Sequence, residues 1–83
     1  MPTMPEDLTR ESVGAAIADR IKLRLDQHGW SQRELSRRSG VSQVMISHIL
    51  SGDRLPTIVI AAKIAAALGD SLDELIPVLA LSA

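Results

Sequence analysis

Four side chains between residues 43 and 48 have the chemistry to contact the edges of DNA bases. Gln43 can form two hydrogen bonds with adenine, and the Val44 methyl groups can meet the methyl group of thymine. Ser47 and His48 are adaptable hydrogen-bonding groups. On a helix these four side chains share one face, and none of them is needed for packing. The alternative interpretation is an ordinary solvated helix face.

Catalytic and metal chemistry is disfavoured by composition. The chain has no cysteine, which excludes disulfides, thiolate zinc sites and cysteine nucleophiles. The two histidines, His28 and His48, lie about twenty residues apart and make a poor metal site. No G-x-S-x-G turn presents a serine nucleophile. We therefore expect a protein that is not an enzyme and that needs no metal or cofactor.

Short helices are the elements that would position these side chains. Apolar residues recur every four positions in the first helix, at Val13, Ile17, Ile21 and Leu25, and Gly29 ends it. Later helices are predicted to begin at the N-cap residues Ser31, Ser42, Thr57 and Ser71, with Ser31 and Glu34 forming a capping box. Met45, Ile46, Ile49 and Leu50 form the predicted inward face of the third helix. Because no strand-like alternation appears, the sequence predicts an all-α, compact five-helix bundle.

The fourth helix is apolar on nearly every side. Its predicted inward residues are Ile58, Ala61, Ile64, Ala65 and Leu68, yet Val59, Ile60, Ala62 and Ala66 are apolar as well. A chain of 83 residues has too little protein to bury such a helix completely. With the apolar C-terminal tail, this predicts a homodimer interface formed by Val59, Ile60, Val78, Leu79 and Leu81. The alternative is a tail that folds back over its own core.

Length and composition predict one domain with two short extensions. Residues 1–11 are predicted to be a flexible N-terminal arm and residues 12–77 the domain. Residues 78–83 are predicted to be the apolar tail that makes the candidate dimer contact, after Pro77 ends or kinks the fifth helix. No apolar run approaches the length of a spanning helix, and no signal peptide is recognisable, so we expect a cytoplasmic protein.

The net charge of -1 conceals an uneven distribution. Residues 20–63 carry eight basic and three acidic side chains, a net charge of +5, whereas residues 1–19 and 64–83 each carry -3. A basic middle suits a polyanionic partner such as DNA. A set of solvated helix faces would look the same in sequence.

Three stretches of the chain resemble the lambda-repressor-like (Cro/Xre) helix-turn-helix family. Residues 29–36 are similar to its G-x-S-Q-x-E-L-A opening, and residues 40–47 to its G-V-S-x-x-x-I-S turn and helix. Pro56 to Leu75 aligns without a gap with P-x-x-x-x-L-x-x-I-A-x-A-L-G-x-S-x-D-x-L, and the matching residues are Ile64-Ala65, Ala67-Leu68-Gly69, Ser71, Asp73 and Leu75. A match held over roughly sixty residues is far more specific than a lone helix-turn-helix match.

The resemblance implies a recognition helix in the major groove and dimers that bind two half-sites about one helical turn apart. Carried over by position, the residues facing bases would be Gln43, Val44, Ser47 and His48. The residues contacting phosphate would be Gln32, Ser42, Arg54, Thr57 and Arg20, with Gln32 also bracing Gln43.

This sequence departs from the family pattern at several positions. Leu50 replaces a frequent glutamate that pairs with the arginine matched by Arg20, which makes a phosphate contact for Arg20 at least as plausible as an ion pair. Serine stands at position 36 where alanine is common. Arg24 replaces a usual leucine, and Asp70 replaces a usual apolar residue.

The predicted function is that of a sequence-specific, double-stranded-DNA-binding transcriptional regulator of bacterial or phage type, acting as a dimeric repressor or autorepressor on a palindromic operator. One alternative is an antitoxin, with a toxin as protein partner, or a restriction-modification controller of the same fold. The other is a helical protein-interaction module that does not bind DNA. Steep salt dependence of DNA affinity would separate a DNA binder from this last alternative.

Overall fold

The computed structural model describes residues 9–76, which form five α-helices. They are α1 (Arg10–His28), α2 (Gln32–Ser39), α3 (Gln43–Leu50), α4 (Ile58–Leu68) and α5 (Leu72–Leu75). The predicted all-α, five-helix class is confirmed. None of the helices in residues 9–76 is long and apolar enough to cross a membrane. Pro77 and the predicted contacts of Val78, Leu79 and Leu81 lie outside the described residues.

Each helix begins directly after a serine or threonine whose side chain accepts a backbone N–H. These N-caps are Thr9, Ser31, Ser42, Thr57 and Ser71. In α1 the cap is reciprocal, because the Ser12 N–H donates to Thr9 Oγ1 and the Thr9 N–H donates to Ser12 Oγ, both at 3.0 Å. Helix α1 therefore begins at Arg10, so the predicted arm of residues 1–11 extends two residues too far.

The capping box predicted at Ser31 forms only in part. The Glu34 N–H donates to Ser31 Oγ at 3.1 Å, but the Glu34 carboxylate is bound to Arg37 and Arg38 on the next turn. Two guanidinium groups offer the carboxylate stronger, charge-assisted bonds than one backbone N–H does. At Ser71 the complete box is present, and these bonds from Ser71 lower the pKa of Glu74.

One apolar core joins the inward faces of all five helices. The predicted stripes of α1 and α3 are confirmed, with Val13 and Met45 only partly buried at their edges. The fully buried large side chains are Ile21, Leu35, Ile46, Ile49, Ile64, Leu68 and Leu75. This core holds α2 and α3 against α1 and α4 and so determines which face of α3 reaches solvent.

Ile58 is the exception among the residues predicted to face inward. Its side chain is 67% exposed, whereas Ala61, Ile64, Ala65 and Leu68 are buried. Ile58 is the first residue of α4, ahead of the turn that packs on the core. Ile60, which was predicted to point outward, is instead partly buried against the core. The prediction for these two residues was therefore wrong.

Arg24 and Asp70, which both depart from the family pattern, form an ion pair with each other in the structure. The Asp70 carboxylate, which is 3% exposed, lies 3.2 Å from Arg20 Nε and 2.9 Å from Arg24 Nε. Arg24 also donates through Nη2 to the Leu68 carbonyl at 2.8 Å, at the C-terminus of α4. A charged pair thus occupies the place of two apolar side chains and ties α1 to the turn between α4 and α5.

We expect Gly14→Ala to stabilise the protein by about 0.5–1 kcal/mol. Gly14 lies inside α1, and a Cβ there would meet Leu55 Cδ2 at 3.4 Å, an ordinary van der Waals contact. Gly40→Ala is the contrasting variant, because Gly40 has a φ of +76° and open space around it. Strain in that left-handed conformation should destabilise the protein by about 1 kcal/mol.

Urea denaturation of both glycine variants measures whether each substitution raises or lowers the free energy of unfolding. A loss of stability in Gly14→Ala would mean that Leu55 cannot shift and that α1 needs a glycine to approach the loop after α3.

Candidate nucleic-acid interface

Helices α2 and α3 are joined by a short turn that several hydrogen bonds hold in place. Gly40 has a left-handed backbone, and its N–H donates to the Ser36 carbonyl at 3.0 Å. The Ser36 hydroxyl donates to the Val41 carbonyl at 2.6 Å, and the Val41 N–H donates to Ser39 Oγ at 3.2 Å. Val41 itself is buried in the core. Serine in place of the common alanine thus adds a hydrogen bond that fixes where α3 begins.

Helix α3 has one buried face and one exposed face. Ile46, Ile49 and Leu50 are buried. All four residues predicted to contact bases are exposed together on the other side: Gln43, Val44, Ser47 and His48. Val44 is 68% exposed, although a valine gains nothing from contact with water. The fold therefore brings the predicted set onto a single surface, while base contact itself stays a prediction.

The predicted phosphate contacts, apart from Arg20, are exposed at helix starts or in the turn after α3. Gln32 is the first residue of α2, and Ser42 and Thr57 cap α3 and α4. The Ser42 and Thr57 hydroxyl oxygens accept the N–H groups of Met45 and Ile60, each at 3.1 Å. Other N–H groups of each first turn remain available to an anion.

Arg54 is exposed in the turn between α3 and α4. It has no carboxylate partner among residues 9–76, so its charge is available to a ligand. The brace between Gln32 and Gln43 is not formed. Within the part of the chain that the structure describes, neither amide group makes a hydrogen bond.

Arg20 lies apart from this set, because its guanidinium is bound to Asp70. Leu50 of α3 cannot pair with Arg20 as the glutamate that is frequent in the family does. Arg20 nevertheless has a carboxylate partner, which the turn before α5 supplies. A phosphate contact would require that pair to open.

Ion pairs engage half of the basic residues in the middle of the chain, namely four arginines that share two carboxylates. Arg20 and Arg24 share Asp70, and Arg37 and Arg38 share Glu34. Hydrogen bonds from Arg37 and Arg38 lower the pKa of Glu34 from 4.5 to about 2, so this carboxylate stays charged at any physiological pH. Among residues 9–76, the basic residues of this block without such a partner are Lys22, Arg33, Arg54 and Lys63.

A model of the helix-turn-helix family HTH_3 matches residues 21–75, about two thirds of the chain. The chain belongs to the HTH_3 helix-turn-helix family. No curated protein matches the sequence. The match covers α2, the turn and α3, and all four predicted base contacts lie on α3.

Two solved structures are similar to this HTH_3 chain. A hypothetical transcription factor from Neisseria is 28% identical, with a TM-score of 0.75, over 89% of this chain and 87% of that one. An HTH_3-family transcriptional regulator from Vibrio cholerae is 29% identical, with a TM-score of 0.77, over 83% of this chain. This chain spans only 39% of the Vibrio chain. The family and both neighbours support a coarse assignment, that of a DNA-binding transcriptional regulator.

Sequence reasoning missed Asp53, a charged residue that lies beside the candidate interface. Its Oδ2 lies 3.8 Å from Nδ1 of His48, at the end of α3. The signal available in the sequence was that His48 and Asp53 lie five positions apart, with Gly52 between them. It was too weak to use, because the direction of the chain after α3 depends on the turn.

Proposed function

We propose that this HTH_3 protein represses transcription by occupying a two-fold symmetric DNA operator as a homodimer. The observation that carries the proposal is the exposed face of α3, which presents Gln43, Val44, Ser47 and His48 together directly after a short glycine turn. In helix-turn-helix proteins this second helix lies in the major groove. Antitoxins and restriction-modification controllers of this fold would bind DNA by the same surface.

Polar groups that can contact phosphate lie before and after α3 in the chain, and they support the placement of α3 in the major groove. Gln32 at the start of α2 offers one polar contact to the phosphate backbone. Arg54 and the first turn of α4 after Thr57 offer another. Contacts of this kind determine register and orientation, whereas the side chains of α3 determine sequence preference.

An exposed apolar stripe on α4 supports association with a second copy. The stripe consists of Ile58, Val59, Ala62 and Ala66, which share one side of the helix at i, i+1, i+4 and i+8. It begins directly after Thr57, so a second copy packed there would lie beside the DNA contacts. Within the predicted dimer set, Val59 (63% exposed) is the central residue, while Ile60 packs mainly against its own core.

Light scattering tests the dimer. We expect Val59→Glu to shift the protein from dimer to monomer without loss of helical circular dichroism. Leu23→Glu is the control, because Leu23 is an exposed leucine on a different helix, α1. A wild-type protein that stays monomeric at about 100 μM and on bound operator DNA would refute the dimer. The contacts of Val78, Leu79 and Leu81 stay predictions that matching variants can address.

Selection of bound duplexes from a random library tests the function itself. We expect enrichment of one sequence with two half-sites about 10 base pairs apart. Failure to retain any duplex at about 50 mM salt would refute DNA binding. It would favour the alternative of a helical protein-interaction module that does not bind DNA. The observation that favours this alternative is that α3 contains no lysine or arginine.

Arg54→Ala should weaken binding to all duplexes alike. Because Arg54 is assigned to phosphate, its loss should also flatten the slope of log Kd against log salt by about 0.9. Lys63→Ala is the control, since it removes one exposed positive charge from the middle of α4. Filter binding or fluorescence anisotropy at several salt concentrations measures both effects. A loss confined to certain sequences would contradict the phosphate assignment.

A further inference from the structure

We infer that Ser36 is a positioning residue for DNA recognition. Its hydroxyl group sets the direction in which α3 leaves the turn, and it thereby sets the strength of base discrimination from a position on α2. The inference rests on the proposed function, in which α3 lies in the major groove. Serine stands here where alanine is common in the family, so the family pattern assigns no such role to this position.

The chain enters α3 through Val41, whose backbone is bound by two side chains of α2. The Ser36 hydroxyl donates to the Val41 carbonyl at 2.6 Å, and the Val41 N–H donates to Ser39 Oγ at 3.2 Å. The Val41 side chain is 3% exposed and packs in the core. A buried side chain determines where a residue lies, whereas hydrogen bonds to its N–H and carbonyl determine how its peptide groups are turned. Side chains of α2 therefore determine the path of the chain into α3.

No other group replaces the Ser36 hydroxyl in this role. Within the described residues, the Val41 carbonyl accepts a hydrogen bond from Ser36 alone. The first turn of α3 offers no substitute, because the Met45 N–H is bound to Ser42 Oγ at 3.1 Å and the Ile46 N–H to the Ser42 carbonyl at 3.0 Å. Removal of the hydroxyl would leave a partly buried carbonyl without a protein partner, and a rotation of its peptide group toward water would then be favoured.

Such a rotation acts most directly on the side chains that are proposed to read bases. Gln43 and Val44 are the first two residues of α3. Base contacts require side chains held within about 0.5 Å and 10–20° of their productive geometry, because a hydrogen bond weakens steeply as it bends. Contacts to phosphate are less demanding, since they are largely electrostatic. Loss of the Ser36 bond should therefore lower base discrimination and leave non-specific binding in place.

Ser36→Ala in the full chain tests the inference, with anisotropy titrations on the selected operator and on a scrambled duplex. Because alanine is common at this position in the family, the variant should fold, and circular dichroism with urea denaturation checks that it is native under the binding conditions. We expect the ratio of the Kd for the scrambled duplex to the Kd for the operator to fall at least about tenfold. The Kd for the scrambled duplex should change by less than about twofold. A loss of stability alone would instead weaken binding to both duplexes by the same factor.

Ser51→Ala is the matched control at the other end of α3. The Ser51 hydroxyl also donates to a backbone carbonyl, that of His48, at 3.0 Å. That carbonyl accepts the Asp53 N–H at 3.0 Å as well, so it keeps a partner when the hydroxyl is removed. We therefore expect Ser51→Ala to retain the wild-type ratio of the two Kd values.

Four results would overturn the inference while the proposed function stands. They are an unchanged ratio in Ser36→Ala, an equal loss of affinity for both duplexes, a Ser51→Ala variant whose ratio falls as far, and a Ser36→Ala protein that is unfolded. The last result would mean that the hydroxyl stabilises the fold as a whole. Failure to enrich any duplex from the random library would instead overturn the proposed function, and the inference with it.

Discussion

Replacing Asp70 with asparagine is expected to lower the free energy of unfolding by about 2–3 kcal/mol at pH 7. Asp70 is almost fully buried and is the shared partner of Arg20 and Arg24. Without its charge, both guanidinium groups would lose their carboxylate partner, and Arg24 would keep only its hydrogen bonds to uncharged groups. The effect is smaller than for a fully buried pair, because the side chains of Arg20 and Arg24 are 28% and 22% exposed. Urea denaturation measures it, with Asp26→Asn as the exposed control.

A double variant tests whether Arg24 and Asp70 truly compensate for each other. Arg24→Leu with Asp70→Leu restores the apolar residues that are usual in the family and removes both charges at once. Because well-packed apolar side chains often replace a buried ion pair at little cost, we expect the double variant to be more stable than the sum of the single effects predicts, by at least about 1 kcal/mol. Strictly additive effects would contradict the ion pair.

Gln43→Ala should have the largest effect on DNA recognition. We expect binding to the selected operator to weaken by about 1–3 kcal/mol, which corresponds to roughly 5–150-fold in Kd, and the preference at one base pair per half-site to relax. The stability of the protein should hardly change, because Gln43 is exposed and its amide makes no hydrogen bond within residues 9–76.

Gln32→Ala is the matched control for Gln43→Ala. Both residues are exposed glutamines at the first position of a helix, directly after a capping serine. Because Gln32 is assigned to phosphate, its loss should weaken binding to every duplex by a similar factor. Anisotropy titrations on the operator and on single-base variants distinguish the two patterns. Equal losses on all duplexes for Gln43→Ala would remove it from the base contacts.

The net charge of a sequence segment does not show which of its charges remain unpaired in the folded protein. In sequence, residues 20–63 form a block of +5, yet Asp70 from the acidic C-terminal segment folds back, forms ion pairs with two of its arginines and lowers the net charge by one. The Glu34 carboxylate occupies two more. Few basic side chains of this block therefore remain outside ion pairs within residues 9–76, and Arg54 is one of them. Such a protein should bind non-specific sequence weakly and depend on its base contacts.

Features that depend on neighbours within one or two turns were predictable from the sequence. The N-caps at Ser31, Ser42, Thr57 and Ser71 follow from local hydrogen bonds, and the stripes of α1 and α3 follow from the helical repeat. The prediction failed at Ile58 and Ile60. Periodicity gives only the spacing along a helix, whereas the position of the neighbouring helices decides which turn of that helix is covered.

The sequence by itself determined the five helices, the helix-turn-helix and the set of exposed residues on α3, because each of these follows from short-range periodicity and capping. Only the tertiary structure decided which charges remain free. The Asp70 cluster joins residues 46 and 50 positions apart, and the approach of Asp53 to His48 depends on the turn at Gly52. Electrostatic partners are chosen by distance in space, and no local pattern in the chain encodes that distance.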